Sequence, residues 1–241
     1  MTIATPVRYP NGVGTRPRQH AFGMLPVPDE ARLHRYFNHF DTYLASDWTR
    51  SLNGGTGTTA LAAGDGGILV LTNTAGATDM VQHQTVAAGF NVTPNTNLQA
   101  GKDMWFGIRL KLDSATLSTV LLGLYTVKST AATTAPTDGF WFRKAAASAA
   151  IDLVDSTGST LTATPTGASF VNDTYIDLAF HYFTGVNATN ELRGFVNGEQ
   201  VCSRTIPTAP TGNLALSFAQ MNSTAVARVT SIDWIMAAKE A

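Results

Sequence analysis

The chain is predicted to be all-β, a two-sheet antiparallel sandwich preceded by an extended N-terminal arm. Three observations carry that expectation. Apolar residues recur with a period of two and almost nowhere with the period of a helix. Turns rich in Gly, Asn, Thr and Pro separate ten or more such runs. Five of the ten prolines fall within the first 35 of 241 residues.

That first segment, residues 1–35, holds Pro6, Pro10, Pro17, Pro26 and Pro28 together with Gly12, Gly14 and Gly23. Proline fixes φ and lacks a backbone N–H, so the segment is expected to run as an extended arm rather than inside a sheet. An arm needs a surface to lie on, its own sandwich or a neighbouring subunit, and arm exchange is a common way to lock an assembly. Arg8, Tyr9, Arg16, Arg18 and Phe22 are the candidate partner contacts, the arginines being suited to a neighbour's carboxylates. A short helical turn near Asp29–Tyr36 is also expected, because Pro28-Asp29-Glu30-Ala31 places proline and acids where a helix start tolerates them.

Residues 36–241 are expected to form the sandwich domain. Its clearest strand is Asp103–Leu112, where Met104, Phe106, Ile108, Leu110 and Leu112 alternate with Asp103, Trp105, Gly107, Arg109 and Lys111. Ile176, Leu178, Phe180 and Tyr182 alternate in the same way, as do Leu214, Leu216 and Phe218. Arg193–Arg204 reads as a hairpin around Asn197-Gly198, the strongest short turn signal. Further strands are expected at Phe37–Phe40, Gly67–Thr72, Met80–Thr85, Thr119–Val127, Gly139–Arg143, Ile151–Val154 and Val226–Met236. Ser129–Asp138, the longest low-complexity stretch of the sandwich, is expected to be an exposed loop. No repeat recurs at the spacing of a propeller or solenoid.

Bulk properties narrow the function classes. Only 14% of residues are charged, against about 25% in an average domain. Sixteen basic against seventeen acidic residues leave a formal charge of −1 and no field to attract nucleic acid or an anionic membrane. One cysteine, Cys202, excludes an intrachain disulfide and any cysteine-based metal site. The opening Met1-Thr-Ile-Ala-Thr-Pro6 lacks the basic and apolar regions of a secretory signal, and no apolar run nears the roughly 20 residues of a membrane span. Residence in the cytoplasm, or in something assembled there, is the resulting expectation.

Several segments carry a resemblance. Tyr36-Phe37-Asn38-His39-Phe40-Asp41 followed by Asp47-Trp48 resembles the opening strand of concanavalin A-like jelly rolls. Thr174–Phe180, the hairpin around Val196-Asn197-Gly198, and Ser231-Ile232-Asp233-Trp234-Ile235 resemble the late strands of that superfamily, whose last strand returns beside the first. The superfamily includes lectins, laminarinase-like glycoside hydrolases, laminin-G-like modules and viral structural domains. An Ala/Thr/Gly-rich sandwich with a proline-rich basic arm resembles, in particular, the capsid decoration (cement) proteins of tailed bacteriophages. That resemblance implies a non-enzymatic virion protein on the capsid surface, stabilising the head shell by contacts with the major capsid protein and with copies of itself, as a trimer. A carbohydrate-binding jelly roll on a virion surface or tail is the alternative, and a glycoside hydrolase-like enzyme the third reading.

The residues bear unequally on these readings. Glycoside hydrolysis needs two carboxyl groups roughly 5–9.5 Å apart, and laminarinase-like proteins supply them from one strand as Glu-x-Asp-x-(x)-Glu. The four glutamates, Glu30, Glu191, Glu199 and Glu240, have no aspartate at that spacing on a strand. Asp173 and Asp177 share a strand parity and Asp152 and Asp155 are close, but such acids are ordinarily solvated strand-edge residues. No catalytic residue and no cofactor is assigned. His20, His34, His39, His83 and His181 show no metal-ligand spacing. The resemblance implies that a structural calcium would fall to Asp41 or Asp65 with Asp233, yet no Asp-x-Asp-x-Asp loop is present, and no metal ligand is assigned. Gly54-Gly55-Thr56-Gly57 and Gly64-Asp65-Gly66-Gly67 read as turns. Trp105, Trp141 and Phe183 oppose the core residues of their strands and are expected to be exposed, for contact with sugar or protein; Trp141, within Phe140-Trp141-Phe142, is alternatively core.

Overall fold

A computed structural model describes residues 33–64, 66–86, 103–184, 190–210 and 212–240. The arm contacts Arg8, Tyr9, Arg16, Arg18 and Phe22, and also Asp65, lie outside the described residues. In chain order the strands are β1 (Leu33–Asn38), β2 (Trp48–Asn53), β3 (Thr58–Ala62), β4 (Ile68–Thr72), β5 (Met80–Thr85), β6 (Met104–Leu112), β7 (Ser118–Thr126) and β8 (Gly139–Lys144). They continue as β9 (Ala150–Thr157), β10 (Thr160–Ser169), β11 (Ile176–Thr184), β12 (Asn190–Val196), β13 (Glu199–Ile206), β14 (Leu214–Asn222) and β15 (Val229–Glu240).

All pairings among the described residues are antiparallel and form two sheets. The eight-stranded sheet runs β13-β12-β11-β6-β15-β4-β3, with β1 also paired to β15. The seven-stranded sheet runs β10-β9-β8-β7-β14-β5-β2. Period-two alternation makes one face of each sheet apolar, and the two apolar faces close on each other. Phe106, Ile108, Leu110, Leu178 and Phe180 of the first sheet meet Leu122, Leu124, Phe140, Phe142, Leu216 and Phe218 of the second in one buried cluster. Phe106 and Phe180 stack with centroids 5.1 Å apart, and Phe140 and Tyr182 stack across the interface at 4.9 Å. Offset aromatic pairs of this kind add to the burial of their area.

The predicted sandwich is thus observed, and the last strand does return beside the first: Leu33–Asn38 pairs with Ile235–Glu240. That pairing moves the start of the sandwich. β1 takes in Leu33, His34 and Arg35, which the sequence reading left in the arm, and the helical turn expected to reach Tyr36 gives way to strand there, because the open side of β15 offers a ladder of backbone partners. The Asn197-Gly198 hairpin forms with both residues at positive φ, 50° and 83°, as a tight two-residue turn demands. Asn197 also ties the turn to β11, its N–H donating to the Asp177 carbonyl at 2.8 Å and its Oδ1 accepting from the Asp177 N–H at 3.0 Å. β2, β3 and β10 had no counterpart among the expected strands; each lies at an edge of its sheet, where half-exposed sequences lose the alternation. No helix among the described residues is long and apolar enough to cross a membrane.

Candidate functional site

The outward face of the seven-stranded sheet carries Trp141, one of the candidate contact residues. Register places its residues in two rows. Val154 of β9, Trp141 of β8, Gly123 of β7, Ser217 of β14 and Gln84 of β5 are successive cross-strand partners. Alongside them run Asp152, Arg143, Leu121, Ala219 and Gln82. Gly123 is required in the first row. A Cβ there would lie 2.3 Å from the Phe140 carbonyl oxygen and 2.6 Å from Trp141 Cα, so only glycine lets β8 approach this closely.

This face is roofed. The loop expected over Ser129–Asp138 is exposed at Ser129, Thr133, Thr134, Ala135 and Thr137, but it folds back onto the sheet at Ala131, which is 2% exposed and packed with Leu121, Tyr125, Trp141, Val154 and Ala219. Two buried glutamines fasten it. Gln82 Oε1 accepts from the Ala131 N–H at 3.1 Å, and Gln82 Nε2 donates to the Lys128 carbonyl. Gln84 Oε1 accepts from the Lys128 N–H at 2.8 Å and from Gln82 Nε2 at 3.0 Å, while Gln84 Nε2 donates to Ser217 Oγ at 2.9 Å. Ser217 Oγ in turn donates to the Ala215 carbonyl at 2.9 Å. Each buried carboxamide therefore spends both its ends, which is what makes polar residues tolerable beneath a loop. Sequence reasoning missed Gln82 and Gln84; their signal was the run Gln82-His83-Gln84 inside a strand, polar residues on both faces of an otherwise apolar element.

Trp141 is consequently fully buried, and the expectation that it is exposed is corrected; its core alternative is nearer the observed position, although it packs outside the inter-sheet core. Its ring meets Tyr125 edge-on at 5.8 Å, and burial pushes the Tyr125 phenol far up from its ordinary value. Trp105 is corrected in the same way. It does face away from the inter-sheet core, but it is 1% exposed, stacked on His181 at 4.9 Å and packed with Ala179, Phe195, Trp234 and Met236. Phe183 stays half-buried beneath the Arg193 guanidinium, 5.3 Å from its ring centroid, with His181 edge-on at 5.9 Å. The three aromatics do not converge: Trp141 lies on one sheet, Trp105 and Phe183 on the other.

The acids are likewise dispersed. Asp152 is the one carboxylate in the two outward rows, held by Arg143 at 3.1 Å. Asp155 points to the opposite side of its strand and bridges to Arg204 of the other sheet at 3.3 Å, with burial pushing its carboxyl up. Asp177 and Asp233 both pair with Arg109, at 3.7 Å and 3.1 Å, and Asp173 occupies a turn with φ 53°. His181 Nε2 lies 2.8 Å from Asp103. His83 is buried between the sheets, stacked on Phe218 at 4.9 Å, and its imidazole is pushed down to about 3, chiefly by desolvation. Among the described residues no group of three His, Cys, Asp or Glu side chains is placed to hold a metal ion.

No family model matches the chain, and no curated protein sequence matches it. Solved structures do resemble it. A protein of unknown function from Shewanella oneidensis MR-1 superposes with a TM-score of 0.58 at 12% identity, covering 87% of each chain. Peanut lectin gives 0.57 at 8% identity, over 86% of this chain and 97% of its own. A prokaryotic β-1,3-1,4-glucanase (lichenase) derived from a mouse hindgut metagenome gives 0.56 at 14% identity, over 84% and 97%. The chain therefore has the concanavalin A-like jelly-roll fold of lectins and glucanases, and at these identities the likeness is one of fold.

Proposed function

We propose that this jelly roll is a non-catalytic structural subunit, which in its finer form decorates a bacteriophage head shell and stabilises it through contacts with the major capsid protein and with copies of itself. The observation that carries the reading is the roofed outward face. The loop from Lys128 to Ala132 covers the centre of that face around Trp141, leaving it closed to a polysaccharide chain, and the two rows carry Asp152 alone among carboxylates, already paired with Arg143. Hydrolysis through two carboxyl groups has no second partner in those rows. The sparsely charged composition and the proline-rich, arginine-bearing residues 1–35 support the assembly role. A subunit that binds only the assembled shell raises the shell's stability by mass action.

The test is co-sedimentation with empty shells. The full chain is expected to pellet with shells and raise their disruption temperature, and a chain lacking residues 1–32, which keeps β1, is expected to stay folded and remain in the supernatant. Absence of binding by the full chain would overturn the reading; binding undiminished by the deletion would remove the arm from it.

A second reading, a carbohydrate-binding module, is favoured by one observation. Beneath the loop the indole Nε1 of Trp141 is buried without a hydrogen-bond partner, a donor that a sugar hydroxyl could satisfy once the loop over it is lifted. Glycan-array binding by the wild-type chain that is lost on W141A, with folding retained, would replace the structural reading by this one. Release of reducing ends from a polysaccharide panel would overturn both.

A further inference from the structure

The edges of the two sheets are protected unequally. β13 carries Glu199 and Arg204, β10 carries Pro165 and a shift of register before Ser169, β2 carries Arg50, and β1 carries His34 and Arg35. Charge, proline and bulges are the usual means of keeping an open strand from pairing with another. β3 has none of them. Thr58-Thr59-Ala60-Leu61-Ala62 pairs with β4 in unbroken register, has no strand on its other side among the described residues, and exposes four of its five residues. From Ser51 to Gly64 the sequence contains no charged residue. The core also opens here. Leu61 pairs with the inward-facing Leu69, and Leu52 of the neighbouring edge strand β2 pairs with the inward-facing Val81, yet the two leucines are 44% and 43% exposed.

We infer that β3 is a homodimer interface, at which a second copy of this chain adds its own β3 antiparallel across a two-fold axis near Ala60, joining the two eight-stranded sheets and covering Leu52 and Leu61. The occupant is a second copy because the edge is self-complementary. A two-fold contact matches the segment with itself, an uncharged strand meets its image without like-charge repulsion, and the symmetric pairing closes rather than propagating into a fibre. The polar backbone supplies the affinity and the small side chains Ala60 and Ala62 allow the close approach. This contact goes beyond the shell-binding role and does not depend on it. A chain that is monomeric in solution yet still pellets with shells would sink the dimer and leave shell binding, with self-contacts made only on the shell, intact; a dimer that ignores shells would sink the shell-binding reading alone.

Sedimentation of the full chain tests it. The wild-type protein is expected to reach twice the chain mass as concentration rises, with the amides of Thr58–Ala62 protected from hydrogen exchange. A60K, which places two ammonium groups face to face on the axis, is expected to sediment at the chain mass with the wild-type circular dichroism spectrum and to lose the concentration dependence of the melting temperature that the wild-type dimer shows. An equimolar mixture of A60K and A60E is expected to recover the doubled mass. A chain mass at every concentration, a threefold mass, or an A60K variant that still dimerises would each overturn the inference.

Discussion

His83 sits at the centre of β5 with its ring on Phe218 and Trp48 edge-on at 6.3 Å, a position that has room for a neutral imidazole but not for a solvated cation. Because its folded value is lowered to about 3 while an unfolded histidine titrates near 6.5, the unfolded chain takes up this proton first as pH falls. Stability is fully present above about pH 6.5 and declines as pH drops toward 3, by on the order of 4 kcal/mol over the whole window. Denaturant midpoints measured at pH 7 and pH 4 should therefore fall more steeply for the wild-type chain than for H83F. Trp141 makes a second prediction at this scale. Truncating a fully buried indole, W141A, should cost about 3–5 kcal/mol in equilibrium unfolding, the signature of packing rather than of an exposed binding platform. Parity told correctly that Trp141 and Trp105 face away from the inter-sheet core. It could not tell that each is covered, because covering depends on contacts remote in sequence: Ala131 in a low-complexity loop for Trp141, Phe195 and Met236 of distant strands for Trp105.

At the scale of elements, the loop and its two glutamines behave as one unit. Q82A removes the acceptor of the Ala131 N–H and the donor to the Lys128 carbonyl, leaving two backbone groups to find water. Each such loss costs roughly 1–3 kcal/mol, and the loop should open locally before the sandwich does. Amide hydrogen exchange at Lys128 and Ala131 should accelerate in Q82A while exchange in β6 and β11 stays at the wild-type rate; equal acceleration everywhere would mean that the glutamine supports the whole fold instead. Sequence alone revealed β6, whose clean apolar face fixes its bounds to within one residue, and β5, at Met80–Thr85 despite the polar run Gln82-His83-Gln84. The strands it did not reveal are edges. β10 carries Pro165 and Gly167, which reads as an irregular segment yet is tolerated where one side of the strand needs no partner. The candidate site was the least legible part, because Gln82 and Gln84 look like surface residues until the loop they hold is seen above them.

Over the whole molecule, one buried cluster draws residues from both sheets, from Trp48 of β2 to Ala237 of β15, and Cys202 is the single cysteine of the sequence. With no intrachain disulfide to break, and with the two smaller clusters around Trp105 and Trp141 built largely on the same strands that form the central one, the described sandwich should unfold in one cooperative transition, coincident by tryptophan fluorescence and far-ultraviolet circular dichroism and unchanged by reductant. Two separated transitions would show that the sheets are less coupled than the aromatic stacking across them implies. The same architecture sets the terms on which the roof over the seven-stranded sheet can respond to its surroundings. Where Gln82 and Gln84 hold it, at Lys128 and Ala131, its fastenings are carboxamides, a hydroxyl and backbone amides, none of which gains or loses a proton in the physiological range or feels the screening of salt; the charged contacts, Lys128 Nζ on the Ala135 carbonyl and the Gly158 N–H on Asp138 Oδ1, lie toward its far end. Acidification and ionic strength thus have no direct hold on the glutamine end of the roof; the agents that could lift it there are those that compete for amide hydrogen bonds, and so in ordinary surroundings the patch over Trp141 behaves as wall.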